Sequence, residues 1–383
     1  MFGTEVFDRR RSAEGMNQMW KQTYVGTVTL ASTMQGQSCP FVRRLVTNLA
    51  SSPLSTVPRS NIKPKGQMHK QRQHVKSSKG VSILQDPGIP VLRKLTRQGL
   101  VELIASSVVY QEYPLIGINK PAGLSITGRD LCLISLLPDL QHQLQLSEML
   151  HVVKASHRDH SGLVLLSTCH QTTQNIENAF IQARRKKEAI TSYCAVTVGV
   201  PEPEAGEINI ALKQQSIGEH KMVVPVFHPT AGNFRRKEAK KAITQYKVLD
   251  AANGCALVQL QPLATFESML EVHLTLKLCT VLGDHVYSGC LGKVLDVPFR
   301  LPVESVIPQT QVLDETLLQK LHMDQNHMWK MPIHLHLQRL TIPPFGTKKS
   351  ETVITAAPLP YFSRNLELLG LTKNEFVDKG TKK

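Results

Sequence analysis

The chain has 383 residues, 41% of them hydrophobic and 20% charged, and a formal net charge of +15. That is globular composition, with length enough for one large core or two small ones. No apolar run is long enough to span a bilayer. None of the seven cysteines (Cys39, Cys132, Cys169, Cys194, Cys255, Cys279, Cys290) forms a CxxC pair, so neither a zinc site nor a disulfide framework is indicated and the thiols read as reduced.

The positive charge lies mostly at the front. Residues 1–85 hold thirteen Lys/Arg against three Asp/Glu, and from 15 to 85 ten basic residues stand with no acidic one. An acid-free, Arg- and Ser-rich stretch containing "CPFVRRLVTNLASSPLS" has the character of a mitochondrial presequence. Glu5, Asp8 and Glu14 break the pattern at the extreme end, and a basic tail that binds nucleic acid without being cleaved is the alternative. No hydrophobic periodicity assigns a fold to this stretch. The composition changes at Asp86, so 86–345 is expected to be the folded domain and 346–383 a C-terminal extension.

In chain order, "VLRKLTRQGLVELIASSVVYQ" (91–111) predicts a helix running into a strand. "PLIGINKPAGLSI" (114–126) is a strand broken by a tight turn at Lys120-Pro121-Ala122-Gly123. "LCLISLLPDL" predicts a short helix stopped at Pro138. "MLHVVKAS" and "GLVLLS" are strands. Residues 171–189 form an amphipathic helix with Ile176, Phe180, Ala183 and Ile181 on its apolar side. That helix ends in Arg184, Arg185, Lys186 and Lys187, cations that favour a helix C-terminus by about 0.3–1 kcal/mol each and that also suit phosphate. "TSYCAVTVG" (191–199) alternates as a strand. "FRRKEAKK" (234–241), with Arg235 and Arg236, predicts a solvated loop or hairpin tip able to contact phosphate. "ITQYKVLD" and "CALVQLQPL" form a hairpin about Gly254, residues 266–278 a helix, 281–289 a loop, "VLDETLLQKLH" a helix, and "MPIHLHLQRLTI" a strand. His334 and His336 share a face of that last strand, and without a third ligand they read as ordinary strand residues rather than metal ligands. Mixed strands, few helices and hairpin connections predict an α+β fold with a largely antiparallel sheet.

The sequence has no GxxxxGK[ST] loop, GxGxxG, HExxH or GxSxG. Nucleotide hydrolysis, dinucleotide redox chemistry and zinc or serine hydrolysis therefore have no support. The motif that stands out is "ASHRDHSGLVLL" (155–166), which sets an Arg, an Asp and two His at the mouth of an apolar strand. Arg158 can hold Asp159 ionised, and such a carboxylate can act as nucleophile or base. A merely solvated polar turn is the alternative.

The segments from about 110 to 345 resemble, in order, those of the RluA-type RNA pseudouridine synthases, and in particular the mitochondrial members found in animals. "GINKPAGLSI" is similar to the family's Lys-Pro-x-Gly-Leu strand, and "HRDHSGLVLLS" to its signature His-Arg-Leu-Asp-x-x-Thr-Ser-Gly. "SYCAVTVG" is similar to the segment whose Tyr lies against the target base. "LVQLQPLATFESMLEVHL", "LGDHVYSG" and "PIHLHLQRLTI" resemble the segments that follow. The resemblance implies a mixed sheet with helices packed around an RNA cleft, and cofactor-free isomerisation of uridine in mitochondrial mRNA or rRNA. It implies Asp159 as the catalytic carboxylate, Tyr193 as the ring against a flipped base, and Arg158 and Lys120 as substrate contacts. Arg184, Arg185, Lys186, Lys187, Arg235 and Arg236 would meet RNA. The setting implied is the mitochondrial matrix, with RNA-processing or ribosome-assembly proteins as partners. The chain is three residues shorter than the family pattern between His-Arg and Ser-Gly. Glu271 stands where the family has the Arg that clamps its Asp, so a like charge is expected beside Asp159. An RNA-binding protein on a synthase scaffold, without catalysis, is the competing function.

Overall fold

Thr96 starts the first helix. Its hydroxyl accepts the Gly99 N–H at 3.1 Å, which satisfies one of the donors a helix N-terminus leaves open. Leu100, Val101 and Ile104 then fall on one buried face of α1 (Arg97–Ser106). The computed structural model describes residues 92–372 apart from 129–130, 296 and 347. The segment 1–85 with its expected presequence lies outside the described residues, as does the end of the C-terminal extension from 373.

As the run 91–111 predicts, α1 leads into β1 (Val108–Glu112), which pairs with β2 (Leu115–Lys120). The next helix, α2 (Leu133–Gln143), does not stop at Pro138. Leu133, Leu136, Leu137 and Leu140 recur at helical spacing and are all buried. That burial, at ~1.5–3 kcal/mol per side chain, offsets the ~3 kcal/mol that an interior proline costs. There follow β3 (His151–Ala155), β4 (Ser161–Ser167), α3 (His170–Arg185), β5 (Thr191–Val198), β6 (Ala205–Ile217), β7 (His220–Val226), α4 (Ala231–Arg235), β8 (Ala239–Ala252) and β9 (Cys255–Pro262). The chain continues through α5 (Met269–Thr275), β10 (Thr280–Val281), a β11–β12 hairpin (Leu291–Val294, Val297–Arg300), α6 (Glu315–Lys320), β13 (Leu335–Ile342), β14 (Thr352–Thr355) and α7 (Pro360–Leu369).

Twelve strands make one sheet in the order β1-β2-β4-β13-β5-β9-β8-β6-β7, with β3 on β4, β14 on β13 and β10 on β5. All its pairings are antiparallel except the short contact of β4 with β13, so the mixed, largely antiparallel α+β reading holds. Side-chain alternation sorts the core. Leu163 and Leu165 join α3 and α5 on one face, while Val164 and Leu166 join α1 and α2 on the other. Tyr193 and Ala195 share the first face; Cys194 and Val196 pack against α6 and α7. Helices thus cover both faces of the central strands, which is why β4 reads as a continuous apolar run rather than an alternating one.

Two elements differ from expectation. The "FRRKEAKK" run is not a hairpin tip; it divides between the end of α4 and the start of β8. The long strands β6 and β7, which the sequence did not suggest, extend the sheet beyond β8. The β8–β9 turn falls on Asn253 and Gly254 as expected, both with positive φ (54° and 73°), the geometry of a tight hairpin turn. Beyond 345, β14 pairs with β13, and the rings of Tyr361 and Phe362 on α7 lie 5.3 and 5.2 Å from that of His334. No described helix is long and apolar enough to cross a membrane.

Candidate active site

Three loops and one strand enclose a cleft of about 290 Å³ at the mouth of β4. Ser125–Thr127 follow β2, Ala155–His160 connect β3 to β4, Thr265–Glu267 precede α5, and Tyr193 comes from β5. The first two loops are tied together. Lys120 pairs with Gly162 across the β2–β4 ladder, and the Gly123 N–H donates to the Arg158 carbonyl at 2.9 Å.

Lys120 is the main knot. It is fully buried, and its Nζ donates to the carbonyls of Pro121 (3.1 Å), Leu124 (3.2 Å), Arg158 (3.0 Å) and His160 (2.7 Å). Sequence reasoning took it for a substrate contact. The structure corrects this: its donors are spent on the backbone of the two loops, and it does not line the cleft. Burial pushes its amine down to about 7, with Asp159 and Arg158 pulling in opposite directions.

The cleft interior holds a polar chain that the sequence reading missed. His160, almost fully buried, bonds through Nε2 to Glu271 Oε1 at 2.8 Å. Its ring stands edge-on to Tyr193 at 6.2 Å and to His157 at 5.4 Å. His157 in turn lies 3.8 Å from Glu267. Burial alone would raise the Glu271 carboxyl, but the charge and hydrogen bond of His160 outweigh it, and the group sits below its ordinary value. Burial and the neighbouring His160 lower the His157 imidazole, against the pull of Glu271, Asp159 and Glu267. The expected opposition of Glu271 to Asp159 is therefore not the arrangement found; Glu271 is partnered with His160. Tyr193 lies in the cleft wall. Burial holds its hydroxyl well above its ordinary value, so it is a neutral phenol.

Asp159 and Arg158 are exposed, with Arg158 Nε 3.8 Å from Asp159 Oδ1. Arg158 lines the cleft, but Asp159 lines an adjoining hollow of about 380 Å³ together with Glu271 and Asp284. His157 and Glu267 border both. Burial, then the charge of Glu271, raises the Asp284 carboxyl to about 7. Among the described residues, no group of three or more His, Cys, Asp or Glu could hold a metal ion.

The basic runs differ. Arg184 and Arg185 close α3, Lys186 and Lys187 follow, and all four are exposed. The charge of Arg184 acts on Lys154, whose Nζ reaches Thr265 Oγ1 in the cleft wall at 3.4 Å. Lys154, half-buried, is a cation that sequence reasoning passed over because it sits inside a strand pattern. In the second run, Glu238 takes Arg236 in a two-pronged pair at 2.6 and 3.1 Å. Arg235 remains exposed and Arg236 is already committed.

A largely antiparallel sheet with helices on both faces and a polar cleft at the mouth of β4 is the setting of the site, and the chain belongs to the RNA pseudouridylate synthase family, whose model matches residues 114–275. It is 45% identical over 284 residues to the mitochondrial mRNA pseudouridine synthase RPUSD3 of Homo sapiens, covering 73% of this chain and 80% of that one. It is 30% identical over 307 residues to the mitochondrial pseudouridylate synthase RPUSD4 of Mus musculus, covering 76% of each. Among solved structures it is similar to human RNA Pseudouridylate Synthase Domain Containing 4, with a TM-score of 0.57, 26% identity, and coverage of 72% of this chain and 97% of that one. By this kinship the protein is mitochondrial.

Proposed function

We propose that the protein isomerises uridine to pseudouridine in mitochondrial messenger RNA, in the matrix. The observation that carries this reading is the cleft lined by Tyr193 and Arg158, in a chain whose relatives are named for that reaction. A uridine turned out of its stack would lie against Tyr193. Arg158 and the run 184–187 would hold flanking phosphates, contacts that position without reading sequence. Asp159, the exposed carboxylate of the adjoining hollow, is assigned the attack that loosens the bond between base and sugar. Asp159→Asn keeps shape and removes charge. Pseudouridine mapping on mitochondrial RNA should find the modification with the wild type and none with this variant, at unchanged RNA affinity. Full modification by Asp159→Asn would remove Asp159 from the chemistry.

One observation favours a second reading, an RNA-binding scaffold without catalysis: Asp159 lines the adjoining hollow and not the Tyr193 cleft. A wild type that makes no pseudouridine in any mitochondrial RNA would decide for it. Both readings expect the same electrostatics. Each phosphate contact contributes a slope of about 0.7 to single-strand binding against log salt. Replacing Arg184, Arg185, Lys186 and Lys187 by Gln should flatten that slope by about 2–3, measured by titration at several salt concentrations. An unchanged slope would leave the run as a helix terminus only.

A further inference from the structure

The isomerisation breaks the C1′–N1 bond, forms a C1′–C5 bond, and moves a proton as well. Once C1′ of the ribose is joined to C5 of the uracil, C5 carries the new bond and its original hydrogen together. That hydrogen must leave as a proton, and the ring nitrogen freed from the sugar must gain one. No oxidant or reductant is involved. A base held against the uracil ring accelerates such a step by about 10²–10⁴-fold.

Four groups in the Tyr193 cleft could be considered as that base: Tyr193, His160, Glu267 and His157. The Tyr193 phenol is buried and neutral. His160 is committed through Nε2 to Glu271 and is almost fully covered. Glu267 is 65% exposed and faces water. His157 is half-buried, lines the cleft, and stands beside both His160 and Glu267. We propose that His157 accepts the C5 proton, a role that rests on the reading of the protein as a uridine isomerase. The C5–H bond breaks, its electron pair returns to the ring, and the proton passes to a ring nitrogen of His157. The imidazole then releases it to solvent, and the freed uracil nitrogen takes one up.

The surroundings suit a base that cycles between neutral and charged. Burial and His160 keep the imidazole neutral near pH 7, so its lone pair is available. Glu267, Glu271 and Asp159 all favour the imidazolium once it forms. His160, pinned by Glu271, is a positioning residue in this arrangement: it fixes the His157 ring by edge contact.

The test uses the full-length protein and RNA carrying tritium at C5 of uridine. His157→Gln should release tritium about 100-fold more slowly or slower still, with RNA affinity unchanged. The fall of wild-type kcat/KM on the acid side, centred below pH 6.5, should be absent from the variant. In His157→Ala, which opens a gap at the half-exposed site, free imidazole should restore release; a residue with a merely structural role would show no such rescue. A smaller loss in His157→Gln, or a loss carried wholly by RNA affinity, overturns the assignment while wild-type release leaves the isomerase reading standing. No release by the wild type overturns both.

Discussion

Gly162→Ala should lower stability by about 3 kcal/mol and take the cleft with it. Gly162 opens β4 at φ +110°, a conformation L side chains rarely adopt. A Cβ there would lie 2.3 Å from the Leu337 carbonyl oxygen and 2.6 Å from its nitrogen. Both are backbone atoms of β13, so no side chain can swing aside. The strands must move apart where β4 and β13 make their single parallel contact, His336 to Ser161 and Leu337 to Gly162. The hydrogen bond of Ser161 Oγ with His336 Nδ1, at 2.9 Å, sits at that point. Urea unfolding should show a lower midpoint at unchanged slope. Gly218→Ala, at a positive-φ turn with open space around it, should cost much less. Equal losses at the two positions would mean that backbone conformation and not the approach of β13 governs the effect.

Lys120→Met should cost a similar ~3 kcal/mol, for a different reason. Methionine fills the volume but leaves four carbonyls facing apolar atoms, three of them in or beside the loops that build the cleft. The effect also has a pH signature. The Lys120 amine is near 7 in the fold and about 10.4 when unfolded, so over that window the unfolded chain binds more protons. Stability from this group therefore rises with pH, by at most about 1.4 kcal/mol per unit. The gap between wild type and Lys120→Met should widen from pH 7 to pH 9. A constant gap would show that the lysine holds the same charge in both states.

The central strands were legible because burial on both faces writes itself as continuous apolar sequence in β4 and β5, and α1 and α3 carry helical spacing. What escaped the sequence has physical causes. The outer strands β6 and β7 are held by pairing with β8 and expose many side chains, so their pattern is weak. Pro138 reads as a stop because its cost is local while the compensating burial of Leu140 is tertiary. Lys120 before Pro-Ala-Gly is implied as a substrate contact by the resemblance, and only the fold shows it surrounded by carbonyls. The signature motif is the most instructive. Matched forward from His157-Arg158, its carboxylate position falls on His160, with Asp159 the nearest carboxylate beside it. Matched back from Ser161-Gly162, the family pattern puts its carboxylate position at His157. The Ser-Gly end is the one held in register, by the close approach of Leu337, and the three-residue difference falls in the loop before it. Glu271 and His160 escaped because a buried pair 111 positions apart in sequence leaves no local trace.

The strand and helix beyond residue 345 set a condition on how the molecule is made. Asn119, one residue before Lys120, donates to the Ala357 carbonyl at 2.9 Å; the Tyr361 hydroxyl reaches Ser161 at 3.5 Å; and His336 bonds to the Ala356 carbonyl at 3.1 Å. These contacts join chain positions up to 238 apart, the kind of closure that comes late and slowly in folding. A polypeptide that leaves the ribosome, or enters an organelle, N-terminus first carries the mouth of its cleft long before the residues that brace it. Until roughly residue 370 has emerged, the buried histidines of β13 lack their cover, and the unfinished sheet must be shielded from association with other chains. The state of the cleft mouth thereby becomes tied to completed synthesis: a chain ending before α7 lacks the bracing of Asn119, Ser161 and His336.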